Sequence, residues 1–316
     1  MKPLREKLLA RAQLLATVRQ FFQRRGVVEV CTPVLSQAAG TDPSIEPLHT
    51  RYTGPAYPQG LELFLQTSPE FAMKRLLAGG SGPIYQIAQV FRDGEYGSRH
   101  NPEFTLLEWY RPGLDHHDLM KEVAALMYAC LGEELGVEKI SYTELFERQF
   151  GWSPLQVEIR QLEDTAVLCG IETGNLEYRD QWLDLLMSLV IEPNLGKQGL
   201  TFIYDYPASQ ASLARLNPED PRIASRFELY YQGVELANGF HELADAAEQR
   251  KRFVAENHQR RQRGLRQLPI DENLLDALEQ GLPDCAGVAL GLDRLLMLRL
   301  GKTTLDEVLT FSLTKA

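Results

Sequence analysis

Phe91-Arg92-Asp93-Gly94-Glu95-Tyr96-Gly97-Ser98-Arg99-His100-Asn101-Pro102-Glu103-Phe104-Thr105-Leu106-Leu107-Glu108-Trp109-Tyr110 is the stretch on which the reading of this chain turns. A β-rich apolar segment, Ile84-Tyr85-Gln86-Ile87-Ala88-Gln89-Val90, leads into it, and its second half, Phe104 to Tyr110, is β-rich again. Two such segments around a Gly-containing polar loop predict a hairpin, with Arg92 at the exit of one strand and His100 and Asn101 in the loop. An arginine there presents a planar fork of donors to a phosphate or carboxylate. Glu108 and Tyr110 differ by two, so on a strand they project from one face. A cation and an anion on one sheet face suit a substrate carrying both charges, and an amino acid is such a substrate. A lone F-R-D would be read as a solvated hairpin with an incidental arginine; a whole stretch in register is a stronger signal.

The chain has 316 residues, 44% hydrophobic and 24% charged, as expected of a soluble globular protein. Its net charge of −10 gives no support to broad nucleic-acid binding, which calls for basic excess. Cys31, Cys130, Cys169 and Cys285 are scattered and form no C-x-x-C, which argues against a zinc knuckle or a disulfide scaffold and for reduced thiols. The first residues, Met1-Lys2-Pro3-Leu4-Arg5-Glu6-Lys7, lack a signal-peptide core, and no uncharged apolar stretch is long enough to span a bilayer. The expectation is a cytoplasmic protein without a membrane partner.

Leu4, Leu8, Leu15, Val18 and Phe22 recur at helical spacing, with Gly26 as a stop. Val27 to Leu35 reads as a strand broken by Pro33, and Ser36 to Gly60 as a long polar surface loop. Gln66-Thr67-Ser68-Pro69-Glu70 leads into a helix over Phe71 to Leu77, with Ser and Pro at a normal helix start. Asp115 to Leu135 reads as an amphipathic helix with His116-His117 at its surface, and residues 141–197 have mixed helical character. Thr201 to Pro207 is expected as a strand. Arg226 to Tyr231 and Val234 to Glu242 are expected as a hairpin turning at Gln232-Gly233.

Glu228 and Glu235 lie on the two arms of that hairpin. Two carboxylates brought together repel by on the order of several kcal/mol unless a cation bridges them, and oxygen ligands beside a triphosphate imply Mg²⁺. His241-Glu242 begins like H-E-x-x-H, but position 245 is Asp and the run suits a strand, which argues against a zinc-protease helix. Gly287-Val288-Ala289-Leu290-Gly291-Leu292-Asp293-Arg294 precedes an apolar helix from Leu295 to Leu300. Small residues on that strand admit a flat ligand close to the backbone, and Arg294 opens the helix beside phosphate.

The Phe91–Tyr110 stretch resembles motif 2 of class II aminoacyl-tRNA synthetases of the lysine and aspartate branch, whose loop reads R-H-N-P-E-F. The first helix, strand and Pro33 resemble motif 1, which builds the homodimer interface in that family, and Gly287–Arg294 resembles motif 3. The motifs stand in family order. The resemblance covers essentially residues 1–316 as one α+β catalytic domain, an antiparallel β-sheet flanked by helices, with a variable insertion at about 141–200. The motif 1 helix begins within the first residues, so no N-terminal OB-fold is expected. H-N-P-E-F-T-x-L-E-W-Y-R-P, G-x-E-L-A-N-G-F-H-E-L and P-D-C-x-G-V-A-L-G are especially similar to the truncated lysyl-tRNA synthetase paralogues that modify elongation factor P, the PoxA/GenX family. Trp109, His241 and Ala289 sit where tRNA-charging enzymes differ.

Carried over residue by residue, the resemblance implies that Arg92 holds the α-phosphate and substrate carboxylate and that Arg294 meets the γ-phosphate. Asp93, Gly94, Glu95, His100, Asn101, Phe104, Glu235, Leu236 and Gly291 belong to the implied ATP site, with Phe104 stacked on adenine. Glu228 and Glu235 serve magnesium. Ser68, Pro69 and Glu70 fit the amino group near the carboxylate; Glu108, Tyr110, Asn238, Phe240, Glu242 and Ala289 complete the pocket, with Tyr110 and Glu242 at the distal ammonium. The family motif has Glu where Gly94 stands here; either the adjacent Glu95 replaces it or backbone contacts suffice. The implied activity is ATP-dependent activation of (R)-β-lysine, or another lysine-like amino acid, and its transfer to a lysine of elongation factor P, with tRNA not an expected partner. A tRNA-charging lysine enzyme and a non-catalytic amino-acid-binding paralogue are the alternatives, and intact Arg92, Glu235, Glu242 and Arg294 argue against the second. Arg250, Lys251, Arg252, Arg260, Arg261, Arg263 and Arg266, against only Glu256, are expected either to steer elongation factor P by a local positive field or to form a solvated helix face.

Overall fold

Helix α1 (Pro3–Gln23) buries Leu14, Val18, Phe21 and Phe22, while Leu4 and Leu8, part of the same expected stripe, remain exposed. The computed structural model describes residues 3–172, 174 and 176–316. These fall into two compact units: Met1–Leu114 with Ala129–Leu131 and Ala244–Ala316, and Asp115–Tyr128 with Gly132–Leu243. The fold class is α+β, as the motifs imply.

In unit 1, β1 (Val28–Glu29) is followed by β2 (Leu35–Ser36), β3 (His49–Tyr52) and β4 (Leu61–Leu65), of which the last three form a small sheet in the order β2-β4-β3. The stretch Ser36 to Gly60, expected as loop, thus contains β3. Its residues His49-Thr50-Arg51-Tyr52 are all exposed, so no alternation of polar and apolar residues announced it. Helix α2 (Glu70–Ala78) then leads to β5 (Ile84–Phe91) and β6 (Glu103–Pro112), paired antiparallel from Ile84 opposite Tyr110 to Phe91 opposite Glu103. This is the expected hairpin. Beneath it Phe22 stacks on Tyr85 at 4.4 Å and meets Trp109 edge-on at 5.4 Å, so α1 is locked to the strands by aromatic burial.

The chain then builds unit 2. Helix α3 (His116–Leu131) is capped by the Asp115 side chain, which accepts from the Asp118 N–H. After β7 (Gly136–Ser141) come α4 (Tyr142–Phe150), α5 (Ile159–Leu168) and α6 (Arg179–Leu186), whose apolar faces join Ile203 and Tyr230 in one buried cluster. Strands β8 (Gly199–Pro207), β9 (Ile223–Tyr231) and β10 (Val234–His241) form an antiparallel meander, with β7 added parallel to β8. Gln232 and Gly233 turn the β9–β10 hairpin with φ of +52° and +71°, the left-handed pair that a two-residue hairpin turn of matching twist requires. His116 is not at the surface as expected. It is 6% exposed, with Nε2 3.5 Å from Asp205 Oδ1 and its ring beside His117. Asp205 sits at a register shift in β8 with φ +58°, and such a bulge re-aims a side chain in a way that periodicity does not reveal.

On its return to unit 1 the chain forms α7 (Ala246–Gln262), α8 (Glu272–Gly281), β11 (Cys285–Gly291) and α9 (Leu292–Arg299). β11 pairs antiparallel with β6 from Cys285 opposite Pro112 to Gly291 opposite Leu106, giving the order β1-β5-β6-β11. The basic run on and after α7 is mostly neutralised rather than a free positive field. Arg250 pairs with Glu272, Lys251 and Arg252 with Glu248, and Arg266 with Glu62. Arg260 is 0% exposed and reaches Glu46, the Asp42 carbonyl and the Arg266 carbonyl. The expected docking field is reduced accordingly: helical phase sends Arg260 inward, and Arg250, Lys251, Arg252 and Arg266 lie beside acids, from the same helix or from elsewhere in the chain.

One turn before Arg260, Glu256 accepts from the buried Thr41 hydroxyl. Burial raises its carboxyl from the usual 4.5 to about 7, against the lowering effect of the Thr41 hydrogen bond, with Asp42 adding to the rise. A pKa raised by folding contributes stability below the unfolded value that is lost as pH climbs through the folded one. Thermal unfolding should accordingly show a loss of up to about 3 kcal/mol between pH 4.5 and pH 8 that Glu256→Gln removes; an unchanged slope in the variant would refute it.

Candidate active site

The expected site residues fall into two sets, one in each unit. In unit 1, β6 and the start of α2 bring Glu108, Tyr110, Ser68 and Glu70 together. Glu108 is 2% exposed, and its two oxygens accept from the Ser68 and Tyr110 hydroxyls, each at 2.6 Å. Ser68 also accepts from the Glu70 N–H at 3.0 Å, so one hydroxyl ties the helix start to the strand. Pro69 is the residue that caps α2, without a side-chain cap bond. Glu70 is ion-paired at 2.6 Å with Lys74, a buried lysine one turn on. Sequence reading passed over Lys74, although an acid and a lysine at i and i+4 on an expected helix are a visible signal. Register places Ala289 opposite Glu108, and its methyl packs with Phe104 against Ala88, Val90 and Leu106.

Arg92 leaves β5 as expected. Its Nε points to the Thr67 carbonyl at 3.4 Å, its Nη1 to Glu95 at 3.4 Å, and its guanidinium lies 5.1 Å from the Phe104 ring centre. Both polar contacts are long, so the fork is loosely held and available to a stronger anion. Gly94 takes φ +78°, a left-handed turn that favours glycine over glutamate, and the carboxylate comes one residue later, on Glu95. Asp93 caps the turn by accepting from the Gly94 N–H at 2.9 Å. Asn101 is buried, donates to the Glu103 carbonyl at 2.7 Å and accepts from the Leu313 N–H at 3.1 Å; an ATP contact by Asn101 competes with these internal bonds. At the first turn of α9, beyond Gly291, Arg294 donates to the Arg99 carbonyl at 3.2 Å and lies 2.7 Å from His100 Nε2. Partial enclosure and then the Arg294 charge lower the His100 pKa, so the ring is neutral at pH 7 and its Nε2 can accept from the guanidinium. Asp293, unremarked in the sequence, is 2% exposed; it receives the Thr105 N–H at 2.7 Å and pairs with Arg11 of α1.

In unit 2, a register shift at Leu236 changes the face on which β10 presents its side chains. Glu235 stands opposite Tyr230, Asn238 opposite Glu228 and Phe240 opposite Arg226. Glu235, Asn238 and Phe240 therefore share the face of Arg226, Glu228 and Tyr230, although strict alternation would separate Glu235 from the other two. Phe240 packs with Ala211, Ala214 and Ala224. Glu242, two residues past Phe240, is 1% exposed, and its carbonyl accepts from Arg215.

Both oxygens of Glu228 have protein partners. One oxygen pairs with Arg226 Nη2, and the other accepts from the Tyr206 and Tyr230 hydroxyls at 2.6 Å each. Burial, and then the Glu228 charge, push both phenols well above their ordinary pKa, so both remain donors. Arg226 also donates to the Asn238 side-chain oxygen at 3.2 Å and the Gln210 carbonyl at 2.7 Å. Arg226 is a protein cation beside Glu228, so that carboxylate has a counter-charge besides any Mg²⁺ it shares with Glu235. Two residues before Glu228 on an expected strand, Arg226 was detectable as an opposite charge on the same face. No group of three or more His, Cys, Asp or Glu among the described residues has the geometry to hold a metal by itself. That does not exclude Mg²⁺ carried largely by water and phosphate, for which one or two carboxylates suffice. Beside this network lies a cavity of about 440 Å³, lined by Tyr142, Asp184, Glu192, Gln210, Arg226 and Glu228 among others.

Residues 2–315 match the family model described as tRNA synthetases class II (D, K and N). Three proteins named elongation factor P–(R)-β-lysine ligase, from Salmonella dublin, Salmonella paratyphi B and Salmonella heidelberg, are each 51% identical to the chain over 313 residues, 98% of this chain and 95% of theirs.

The Arg226–Glu228 pair yields a stability prediction. Arg226→Met leaves a buried carboxylate without its cation and should cost about 3–5 kcal/mol, measured by urea unfolding. Arg226→Met combined with Glu228→Gln should recover much of that loss; a double variant as unstable as the single one would contradict it.

Proposed function

The chain belongs to the class II tRNA synthetases of the D, K and N group, and on that premise we propose that it activates (R)-β-lysine, or lysine, with ATP and transfers it to elongation factor P. The observation that carries this reading is the 51% identity over 98% of the chain to ligases named for that donor and that acceptor. The substrate carboxylate oxygen attacks the α-phosphorus of ATP, the bond to the β-phosphate bridge breaks, and pyrophosphate leaves. A lysine ε-amine of elongation factor P then attacks the adenylate carbonyl; the carbon–oxygen bond to AMP breaks, an amide forms and the amine loses its proton. Positioning and charge neutralisation drive both steps, so no protein nucleophile is needed.

The local geometry of unit 1 supports the roles that the family pattern implies. Arg92 exchanges its long contacts with Thr67 and Glu95 for charge-assisted bonds to the α-phosphate and substrate carboxylate. Arg294, held by Arg99 and neutral His100, receives the terminal phosphates, while Phe104 supplies a face for adenine. The buried Glu108, with Ser68 and Tyr110 as donors, and Glu70 beside Lys74 supply carboxylates suited to substrate ammonium groups. Glu235, Asn238, Phe240 and Glu242 enter the proposal through the family pattern, Glu242 as partner of the distal ammonium. Glu228 and Glu235 are the proposed protein ligands of Mg²⁺, which would neutralise phosphate charge, with Arg226 beside Glu228.

Elongation factor P, not tRNA, is the proposed acceptor, following the name of the relatives. We assign a homodimer through α1 and the following strands, where Leu4, Leu8, Leu9, Val28, Val34 and Leu35 are exposed. Among the described residues no helix is long and apolar enough to cross a membrane, and a cytoplasmic location is part of the proposal.

Mass spectrometry of elongation factor P incubated with the protein, ATP and each lysine isomer tests the reading: a single added lysyl mass on a lysine supports it, and unmodified factor with every isomer refutes it. Ala289 faces Glu108 across the strand pair, and a methyl on a pocket wall shifts selectivity by about 1–3 kcal/mol. Ala289→Gly should therefore raise activation of α-lysine relative to the β isomer in ATP–pyrophosphate exchange; a constant ratio would reject the role of that methyl.

A further inference from the structure

Arg260 is fully buried in a helix that exposes most of its other cations, and two of its three contacts lead to the segment 42–46, which bridges to the residue after Arg92. Its Nε donates to the Arg266 carbonyl at 2.6 Å and its Nη1 to the Asp42 carbonyl at 3.1 Å, while Nη2 pairs with the Glu46 carboxylate. Glu46 does two things at once. Its side chain takes the Arg260 fork, and its backbone carbonyl accepts from the Asp93 N–H at 2.7 Å, in an isolated antiparallel bridge between Glu46 and Asp93. Asp93 is the residue after Arg92, whose own N–H donates to the Pro102 carbonyl at 2.9 Å. A second tie fixes the same segment to the same helix face, since Glu256, four residues before Arg260, accepts from the Thr41 hydroxyl.

We infer that Arg260 is a positioning residue for adenylate formation: through Glu46 it clamps the Asp93 backbone and so fixes the direction from which Arg92 meets the reacting phosphate. The physical reason lies in how weakly Arg92 is held by its own side chain. Its two polar contacts are 3.4 Å long, so side-chain bonds do little to orient it, and its aim is set by the backbone on either side. On one side that backbone is held by the β5–β6 ladder; on the other, among the described residues, the bond that continues it is Asp93 to Glu46. The segment 42–46 lies outside the β2-β4-β3 ladder, so its placement depends on what α7 supplies. A guanidinium is suited to this task, because one rigid fork serves three acceptors that a lysine ammonium on a flexible stem would reach less directionally. Its burial without solvent exposure makes the anchor stiff, and the charge is matched by Glu46 rather than left uncompensated.

The inference rests on the reading of Arg92 as the phosphate-binding arginine, and the test separates the two. In Glu46→Ala the fork loses its carboxylate; that side chain is 38% exposed, so its removal spares the core. Arg260→Gln removes the fork itself. Hydrogen–deuterium exchange of the peptide containing Asp93 reports the anchor directly, without reference to activity. Lysine-dependent ATP–pyrophosphate exchange reports its consequence, and activity of the wild type in that assay tests the adenylation reading. In both variants the Asp93 peptide should exchange about tenfold faster, and kcat should fall roughly 10- to 100-fold with KM for the amino acid little changed, as expected when a transition-state contact is misaimed. A merely structural role would lower the unfolding temperature without this split. Unchanged protection of the Asp93 peptide in both variants would overturn the inference, as would faster exchange there with kcat retained.

Discussion

A carboxylate taken out of water must be met by donors or by a cation, and that requirement organises the buried polar chemistry of both units. Glu108 is met by two hydroxyls, Glu228 by a guanidinium and two phenols, and Asp293 by a backbone N–H and Arg11. Ser68, Tyr206, Thr105 and Arg11 lie on other parts of the chain than the acids they meet, so satisfying those charges also fixes how the elements sit within their unit. Asp293 shows this most plainly. At the first turn of α9 it holds α1 through Arg11 and β6 through Thr105, one residue before Arg294, so the aim of that arginine depends on an ion pair well removed from any ligand.

The same requirement explains where charge is left uncommitted. Arg92 has only long contacts, so it retains capacity for an incoming anion. Arg226 and Arg260 are the opposite case, with their forks consumed by protein acceptors. An arginine with a filled fork is an internal strut, and one with an open fork is a hand for a phosphate. Composition cannot tell the two apart. The basic run after Arg250 illustrates this, since most of it proves to be internal or already paired.

Local sequence carried much of the fold. The β5–β6 hairpin, the β9–β10 hairpin with its Gln232-Gly233 turn and the strand-to-helix passage at Gly291 were legible because alternation and turn residues act over a few positions. Strand β3 was not, because exposure on every residue removes the alternation. His116 was misplaced because its partner Asp205 owes its direction to a bulge. Lys74 and Arg226 stood in plain view as opposite charges at helical and strand spacing from Glu70 and Glu228.

By itself the sequence determined the hairpins and the candidacy of Arg92, Glu108 and Arg294, which depend on residue type and short-range spacing, while the motif order and the candidacy of Ala289 came through the resemblance to the family. Tertiary structure alone decided which charges are available. Whether Arg260 faces solvent or Glu46 and whether Glu235 shares a face with Asn238 depend on helical phase, on a partner far away in sequence and on a one-residue register shift at Leu236. Each turns on how one segment is phased against another, which no local pattern specifies.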